Sequence, residues 1–297
     1  MQAPVPDHTD ERGNPAYMMC RGQRFVWGVR TYVMGVVNIS ADSFSGDGTG
    51  DDVQAAVDQA RRFEEEGADI IDVGGESTRA FAGHPQYEAI SEDEELRRVM
   101  PVLERLISQV SVPVSIDTYK SGVARRALDA GVSMLNDIWG LQYDSALAGL
   151  AAEHNVPIVL MHNQKGTRYH DLISDVKAVL ARSVGQAVEA GVPREAIIVD
   201  PGIGFAKGPE HDLQLISRLR ELRELGFPLL VGPSRKSFIG LVLDLPVEQR
   251  MEGTAAAVAL SVANGADIVR VHDVQTMVRV TRMADAVVRG WQRPDKR

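Results

Sequence analysis

Tyr32-Val-Met-Gly-Val-Val-Asn38 is an apolar run that ends on an amide, and a helical pattern follows it. Asp51 and Asp52 can cap a helix whose apolar positions Val53, Ala56, Val57, Ala60 and Phe63 repeat at helical spacing, and Gly67 can end it. The same unit of short apolar run, polar end and apolar helical stripe recurs along the chain. Further runs cover residues 69–73, 114–116, 132–135, 158–161, 196–199, 229–231 and 267–269. Stripes between them include Leu96, Val99, Met100, Leu103 and Ile107, with a kink expected at Pro101, and Val176, Val179, Leu180, Val184 and Ala187.

Strands alternating with helices imply a parallel sheet covered by helices. Eight units in about 260 residues match a (β/α)8 TIM barrel. The competing open doubly wound sheet would carry a Gly-rich dinucleotide fingerprint after its first strand, and the sequence has none there. The expected organisation is a polar, mobile tail over residues 1–22 and one barrel over residues 23–297, with residues 22–30 as a hairpin closing the barrel bottom.

A parallel barrel gathers the C-terminal ends of all its strands at one mouth. The polar residues that end the runs, Asn38, Asp117, Asn136, His162, Asp200, Arg270 and His272, are therefore expected to converge, although each alone could be a helix cap or a structural side chain. Asp117, Asn136 and Asp200 supply acceptors suited to the N–H edge of a flat, nitrogen-rich heterocycle. Gly232-Pro-Ser-Arg-Lys236 and Arg270-Val-His272 follow the last two runs, where barrels commonly hold phosphate, and alternation puts Arg270 and His272 on one face. Asn38 can offer a neutral oxygen to Mg²⁺. No His/Cys spacing fits a zinc site.

Bulk properties narrow the class. At 297 residues and 44% hydrophobic the chain can bury a large core, and it lacks an apolar stretch of membrane-spanning length. A net charge of −9 argues against nucleic acid and anionic membranes as partners. The single cysteine, Cys20, and the absence of a signal-like N-terminus lead to the expectation of a cytoplasmic protein.

Several segments in order resemble one family. Met34-Gly-Val-Val-Asn38 with Asp42-Ser-Phe44, Asp72-Val-Gly-Gly-Glu-Ser-Thr-Arg79, Ser115-Ile-Asp-Thr118, Asn136-Asp137 and Met161-His162 are followed by Asp200-Pro-Gly-Ile-Gly-Phe205, Ser234-Arg-Lys-Ser-Phe-Ile-Gly240 and Arg270-Val-His272. Together they resemble the dihydropteroate synthases over essentially residue 33 to the end. The resemblance implies a dimeric barrel that joins 6-hydroxymethyl-dihydropterin pyrophosphate to p-aminobenzoate, releasing pyrophosphate with Mg²⁺. It implies that Asp117, Asp200, Lys236, Arg270 and His272 carry the chemistry. The pterin would be held by Asp117, Asn136, Asp200 and Lys236, with Met161, Phe205 and the Gly232 turn nearby. Thr78 and Arg79 would join Asn38, Arg270 and His272 at pyrophosphate, Phe44, Ser234 and Arg235 would meet p-aminobenzoate, and Asn38 and Asp42 would hold Mg²⁺.

Departures from the family pattern cluster at the aminobenzoate end. Ser40 and Ala41 replace a Thr-Pro pair, and residues 80–89 (Ala-Phe-Ala-Gly-His-Pro-Gln-Tyr-Glu-Ala) stand where Pro-Gly usually follows Ser-Thr-Arg. Added bulk there could exclude a sulfonamide that reaches past the substrate envelope, so weakened sulfonamide binding is an expectation. The rivals are a methyltetrahydrofolate methyltransferase and a silent pterin-binding paralogue. The first would not need the Ser-Arg-Lys and Arg-Val-His segments, and the second would be favoured by loss of Arg79, Lys236 or His272, all of which are present.

Overall fold

The computed structural model of the protein describes residues 16–39, 52–76 and 89–291. Strand β1 (Tyr17–Cys20) pairs antiparallel with β2 (Gln23–Val26), turning through Arg21 and Gly22, both at positive φ. Strand β3 (Tyr32–Asn38) then opens a run of βα units. Helix α1 (Val53–Glu66) starts on Asp52, whose carboxylate accepts from the Ala55 N–H at 2.9 Å, and ends on Gly67 in the left-handed region.

After β4 (Ile70–Gly74), helix α2 (Glu92–Leu106) continues through Pro101. The series continues with β5 (Val114–Asp117), α3 (Ser121–Asp129), β6 (Met134–Asp137), α4 (Ala146–His154), β7 (Ile158–Met161) and α5 (Leu172–Glu189). It closes with β8 (Ile197–Asp200), α6 (Pro209–Ser217), β9 (Leu230–Val231), α7 (Ser237–Leu243), α8 (Met251–Ala263), β10 (Ile268–Val271) and α9 (Val274–Arg289).

Strands β3 to β10 form one parallel sheet of eight in the order β8-β7-β6-β5-β4-β3-β10-β9. The ring closes between β9 and β8, where Val199 bridges Leu229 and donates its N–H to the Pro228 carbonyl at 3.0 Å. This is the expected (β/α)8 barrel.

Its interior is layered by strand alternation. Tyr32, Met34, Ile70, Met134, Val159, Ile198, Leu230 and Ile268 fill the barrel, and Met18, Cys20 and Phe25 of the hairpin pack against them from below. One step of two residues further along the strands, the same inward face carries Asp72, Asn136, Asp200 and Arg270. The apolar filling thus becomes the floor on which a polar layer stands.

Two expectations need correcting. The boundary after Gly22 is too late, because Tyr17–Cys20 is already a paired strand whose Met18 and Cys20 are buried; Phe25 across the hairpin supplies the apolar partner that fixes it. Several strands also run further than their apolar runs, so that Asn38, Asp117, Asn136, Asp137, Asp200 and Arg270 lie within strands rather than after them. The parallel ladder holds these polar residues as firmly as the apolar ones.

Candidate active site

The polar layer is tied together by one arginine. Arg270 on β10 donates from Nε to Asp72 Oδ2 at 2.7 Å and from Nη2 to Asp117 Oδ2 at 2.8 Å, so it bridges β4 and β5 across the mouth. Asn136 on β6 donates from Nδ2 to the same Asp72 oxygen at 2.9 Å. Burial pushes the Asp117 carboxyl well above the usual carboxylate range, against the pull of Arg270.

Asp200, at the end of β8, accepts the Gly202 N–H on Oδ1 at 2.7 Å, yet burial still raises its pKa to about 6. Asp137 is buried but faces away from this group, accepting the backbone N–H groups of Trp139 and Leu141 at 2.8 and 2.6 Å. It shapes the turn after β6, in keeping with the side its position in the strand predicts.

Lys236 closes the opposite wall. Its Nζ lies 4.2 Å from the centre of the Phe205 ring, and burial together with nearby Arg270 lowers its pKa to about 8. Phe205 and Met161 belong to an apolar cap with Tyr119 and Ile138, against which Trp139 packs. An aromatic ring, a thioether and an ammonium thus flank the acceptors of the polar layer, a composition that suits a flat heterocycle.

The turn from Gly232 to Lys236 divides its side chains. Arg235 takes positive φ, and its guanidinium grips Asp273 with Nε to Oδ2 at 2.9 Å and Nη2 to Oδ1 at 2.6 Å. Ser234 Oγ sits 3.0 Å from His272 Nδ1, joining the two segments after β9 and β10. Gly232 lies beside Arg270, so that an added Cβ would stand 3.7 Å from the arginine's own Cβ. Asn38 ends β3 next to Gly74, whose other neighbour is Asp117.

The structure brings together Asn38, Asp117, Asn136, Met161, Asp200, Phe205, Gly232, Ser234, Arg235, Lys236, Arg270 and His272 at one end of the barrel. Asp42, Phe44, Thr78 and Arg79 lie outside the described residues. His162 ends up beneath the mouth: it is fully buried, its Nδ1 is 3.0 Å from Lys207 Nζ, and burial lowers its pKa to about 3. It is a neutral support for the turn after β8.

Three participants escape a reading by sequence. Asp72 sits inside an apolar run, and its signal was a charge in a strand otherwise fit for burial. Lys207 donates to the Phe205 carbonyl at 2.8 Å and braces His162, with Asp212 and Asp200 nearby. Lys120 joins Glu76 and Glu95 at 2.7 and 2.6 Å, while Glu76 also accepts the Ile90 N–H at 3.2 Å. Glu76 therefore ties together the two flanks of residues 77–88.

Comparison with known proteins agrees with this geometry. The sequence model of the family described as pterin binding enzyme matches residues 34–272. A dihydropteroate synthase of Bacillus subtilis is 51% identical over 259 residues, covering 87% of this chain and 89% of its own. The Xanthomonas albilineans dihydropteroate synthase in complex with 7,8-dihydropteroate superposes with a TM-score of 0.81 at 39% identity, over 91% of this chain and 98% of that one. The Yersinia pestis synthase solved as a sulfonamide drug complex gives 0.84 at 36% identity, over 91% and 98%. A barrel whose polar layer, aromatic cap and basic turn match a sequence likeness of this extent places the chain in the pterin binding enzyme family, among the dihydropteroate synthases.

Proposed function

We propose that the protein condenses 6-hydroxymethyl-7,8-dihydropterin pyrophosphate with p-aminobenzoate to give 7,8-dihydropteroate and pyrophosphate, a step of folate biosynthesis. The observation that carries the reading is the set of buried acceptors, Asp117, Asn136 and Asp200, facing Lys236 across one mouth. The acceptors take the N–H groups of the pterin ring, Lys236 donates to its acceptor edge, and Phe205 and Met161 cover its faces. The N–H groups of Arg270 not given to the carboxylates, with His272 and Ser234, meet the pyrophosphate.

The methylene–oxygen bond breaks as pyrophosphate leaves, and the growing negative charge is met by these donors. Positive charge developing on the pterin methylene is stabilised by the surrounding carboxylates. The aniline nitrogen then forms the new C–N bond and loses its proton to solvent. In this reading Arg235, fixed by Asp273, presents its stem and backbone toward p-aminobenzoate; the roles proposed for Phe44, Thr78 and Arg79 fall on residues outside those described.

Mg²⁺ belongs to the same proposal. Asn38 offers a hard amide oxygen, with Asp42 as its second protein ligand. Among the described residues no group of three or more acidic, His or Cys side chains could hold a metal ion. In this reading the ion takes its remaining ligands from substrate phosphate oxygens and water. When bound, the ion supplies charge neutralisation on the leaving pyrophosphate.

Release of pyrophosphate that requires both the pterin substrate and p-aminobenzoate tests the assignment. Pterin binding without release would indicate a silent paralogue, and methyl transfer from methyltetrahydrofolate the other rival.

Further properties are proposed with it. A homodimer is supported by exposed Leu241, Val242, Leu243 and Leu260 beside a groove of about 340 Å³ between α6, α7 and α8. A cytoplasmic location is supported by Cys20, whose thiol is buried and pushed up to about 12, the form expected of an inert reduced thiol. Among the described residues no helix is long and apolar enough to cross a membrane. Weakened sulfonamide binding rests on Ala41 and residues 80–88, outside the described residues. The sulfamethoxazole inhibition constant relative to the p-aminobenzoate KM, measured beside a relative with the usual Pro-Gly, decides it.

A further inference from the structure

We infer that Asp72 is a positioning residue: it sets which atom of Asn136 faces the pterin and anchors Arg270 beneath the leaving group. The inference deepens the reading of the mouth as a pterin site and rests on it.

The argument starts from donor and acceptor counts. An Asn side chain offers one acceptor and one two-proton donor of nearly the same shape, so nothing in its own packing decides which faces a ligand. At Asn136 the decision is made from behind. Asp72 is wholly buried, and its Oδ2 accepts from Asn136 Nδ2 at 2.9 Å. Arg270 can only donate and its Nε meets the same Oδ2, so that oxygen acts as an acceptor; the amide nitrogen is drawn toward β4 and the Asn136 carbonyl oxygen is turned out. The pocket then presents acceptors at Asp117, Asn136 and Asp200 together, and a ligand must match them with N–H groups.

The same Oδ2 accepts from Arg270 Nε at 2.7 Å, while Arg270 Nη2 reaches Asp117. One oxygen thus couples the ring-recognition residue on β6 to the cation on β10. The other oxygen, Oδ1, is buried and has no hydrogen-bond partner among the described residues, and neither does Ser115 Oγ at the same register on β5. Polar contact is concentrated on the one atom that does the orienting, and Arg270 places a balancing positive charge beside this buried side chain.

Two variants of unchanged side-chain shape test this, with the fluorescence of 6-hydroxymethylpterin as the binding probe and the p-aminobenzoate KM as control. Asn136→Asp sets two carboxylates against each other and should weaken pterin binding at least tenfold. The exchange Asp72→Asn with Asn136→Asp restores a donor facing an acceptor, conserves the charge of the group and leaves an acceptor toward the pocket. It should improve pterin binding by about threefold or more over Asn136→Asp, while the amide nitrogen now set against Arg270 Nε keeps turnover below that of the parent. The p-aminobenzoate KM should stay level throughout.

An exchange variant no better than Asn136→Asp, or an Asn136→Asp variant that binds like the parent, would overturn the inference. Binding by the parent protein bears on the pterin reading itself, and the pattern among variants on the role of Asp72.

Discussion

Lys236 can lie 4.2 Å from the ring of Phe205 because Gly204, one residue earlier, has no side chain to hold them apart. A Cβ on Gly204 would stand 2.8 Å from Lys236 Cδ, and its φ of +77° already disfavours any other residue.

Gly204→Ala should therefore act on the site rather than on the barrel. The added methyl pushes the Lys236 stem off Phe205 and strains the turn by about 1 kcal/mol. The expected result is a pterin KM raised by about tenfold or more, with a melting temperature only a few degrees lower. Steady-state kinetics beside calorimetry check it, and an unchanged pterin KM in the folded variant would refute the placement of Lys236 against the ring.

Lys236→Met and Asp200→Asn should each cut turnover sharply, since loss of a buried charged hydrogen bond costs ~1.5–3 kcal/mol, or about tenfold to more than a hundredfold. Their effects on stability differ. The pKa of Asp200 is raised on folding to about 6, so its favourable contribution is complete below its unfolded value and is lost as pH rises through about 6. At pH 7.5 the ionised group works against folding. Asparagine keeps an acceptor for the Gly202 N–H without the charge, and should raise stability by about 1–3 kcal/mol, or several degrees. A melting temperature below that of the parent, or near-normal turnover, would contradict this account.

Much of the barrel was legible because its code is local: apolar runs, a polar residue at each end, and helical stripes between them. The side chains that line the mouth were legible for the same reason, since strand ends converge whatever the register. Their pairing was not. Asp72 and Arg270 are 198 positions apart and meet only because β4, β3 and β10 are neighbours at one level of the ring. Arg270, which sequence alone offers to an anion, is in fact held by two carboxylates. His162 looked equivalent to the other strand-end residues, but the positively turned loop at Gly202 folds over it: a Cβ on Gly202 would collide with the His162 carbonyl oxygen. The first hairpin was hidden because Tyr17–Cys20 becomes apolar core only when the barrel bottom is there to receive Met18 and Cys20.

The exposed apolar end of α7 yields a prediction about assembly. Leu241 and Val242 are 68% and 60% exposed, too much apolar surface on one short helix for a solitary barrel to leave in water without cost. Val242→Glu places a charge in that face and should shift the protein from dimer to monomer in light scattering. Pterin binding should remain, because Val242 is exposed and lines the groove between α6, α7 and α8, which contains none of the residues of the mouth. A parent that is monomeric at micromolar concentration, or a variant that stays dimeric, would remove this face as the interface.

The pH dependence of kcat/KM for the pterin substrate should be bell-shaped, because it reports groups of the free enzyme. On the acid side, Asp200 must be ionised to accept a ring N–H, and burial raises its pKa to about 6; burial raises Asp117 in the same direction, so the limb belongs to both carboxyls. On the basic side Lys236 must keep its proton, and burial beside Arg270 brings it down to about 8. Activity should be greatest between these values and fall about tenfold per pH unit once either limb is passed. Lys236→Arg separates the groups, since a guanidinium stays charged throughout the accessible range. Its basic limb should move out of the measured window while the acid limb stays in place, even though the overall rate drops. The pyrophosphate of the substrate titrates identically with parent and variant, so it cancels in the comparison. A basic limb unmoved by Lys236→Arg would show that some other group sets it, and would leave Lys236 without the donor role that its position over Phe205 gives it.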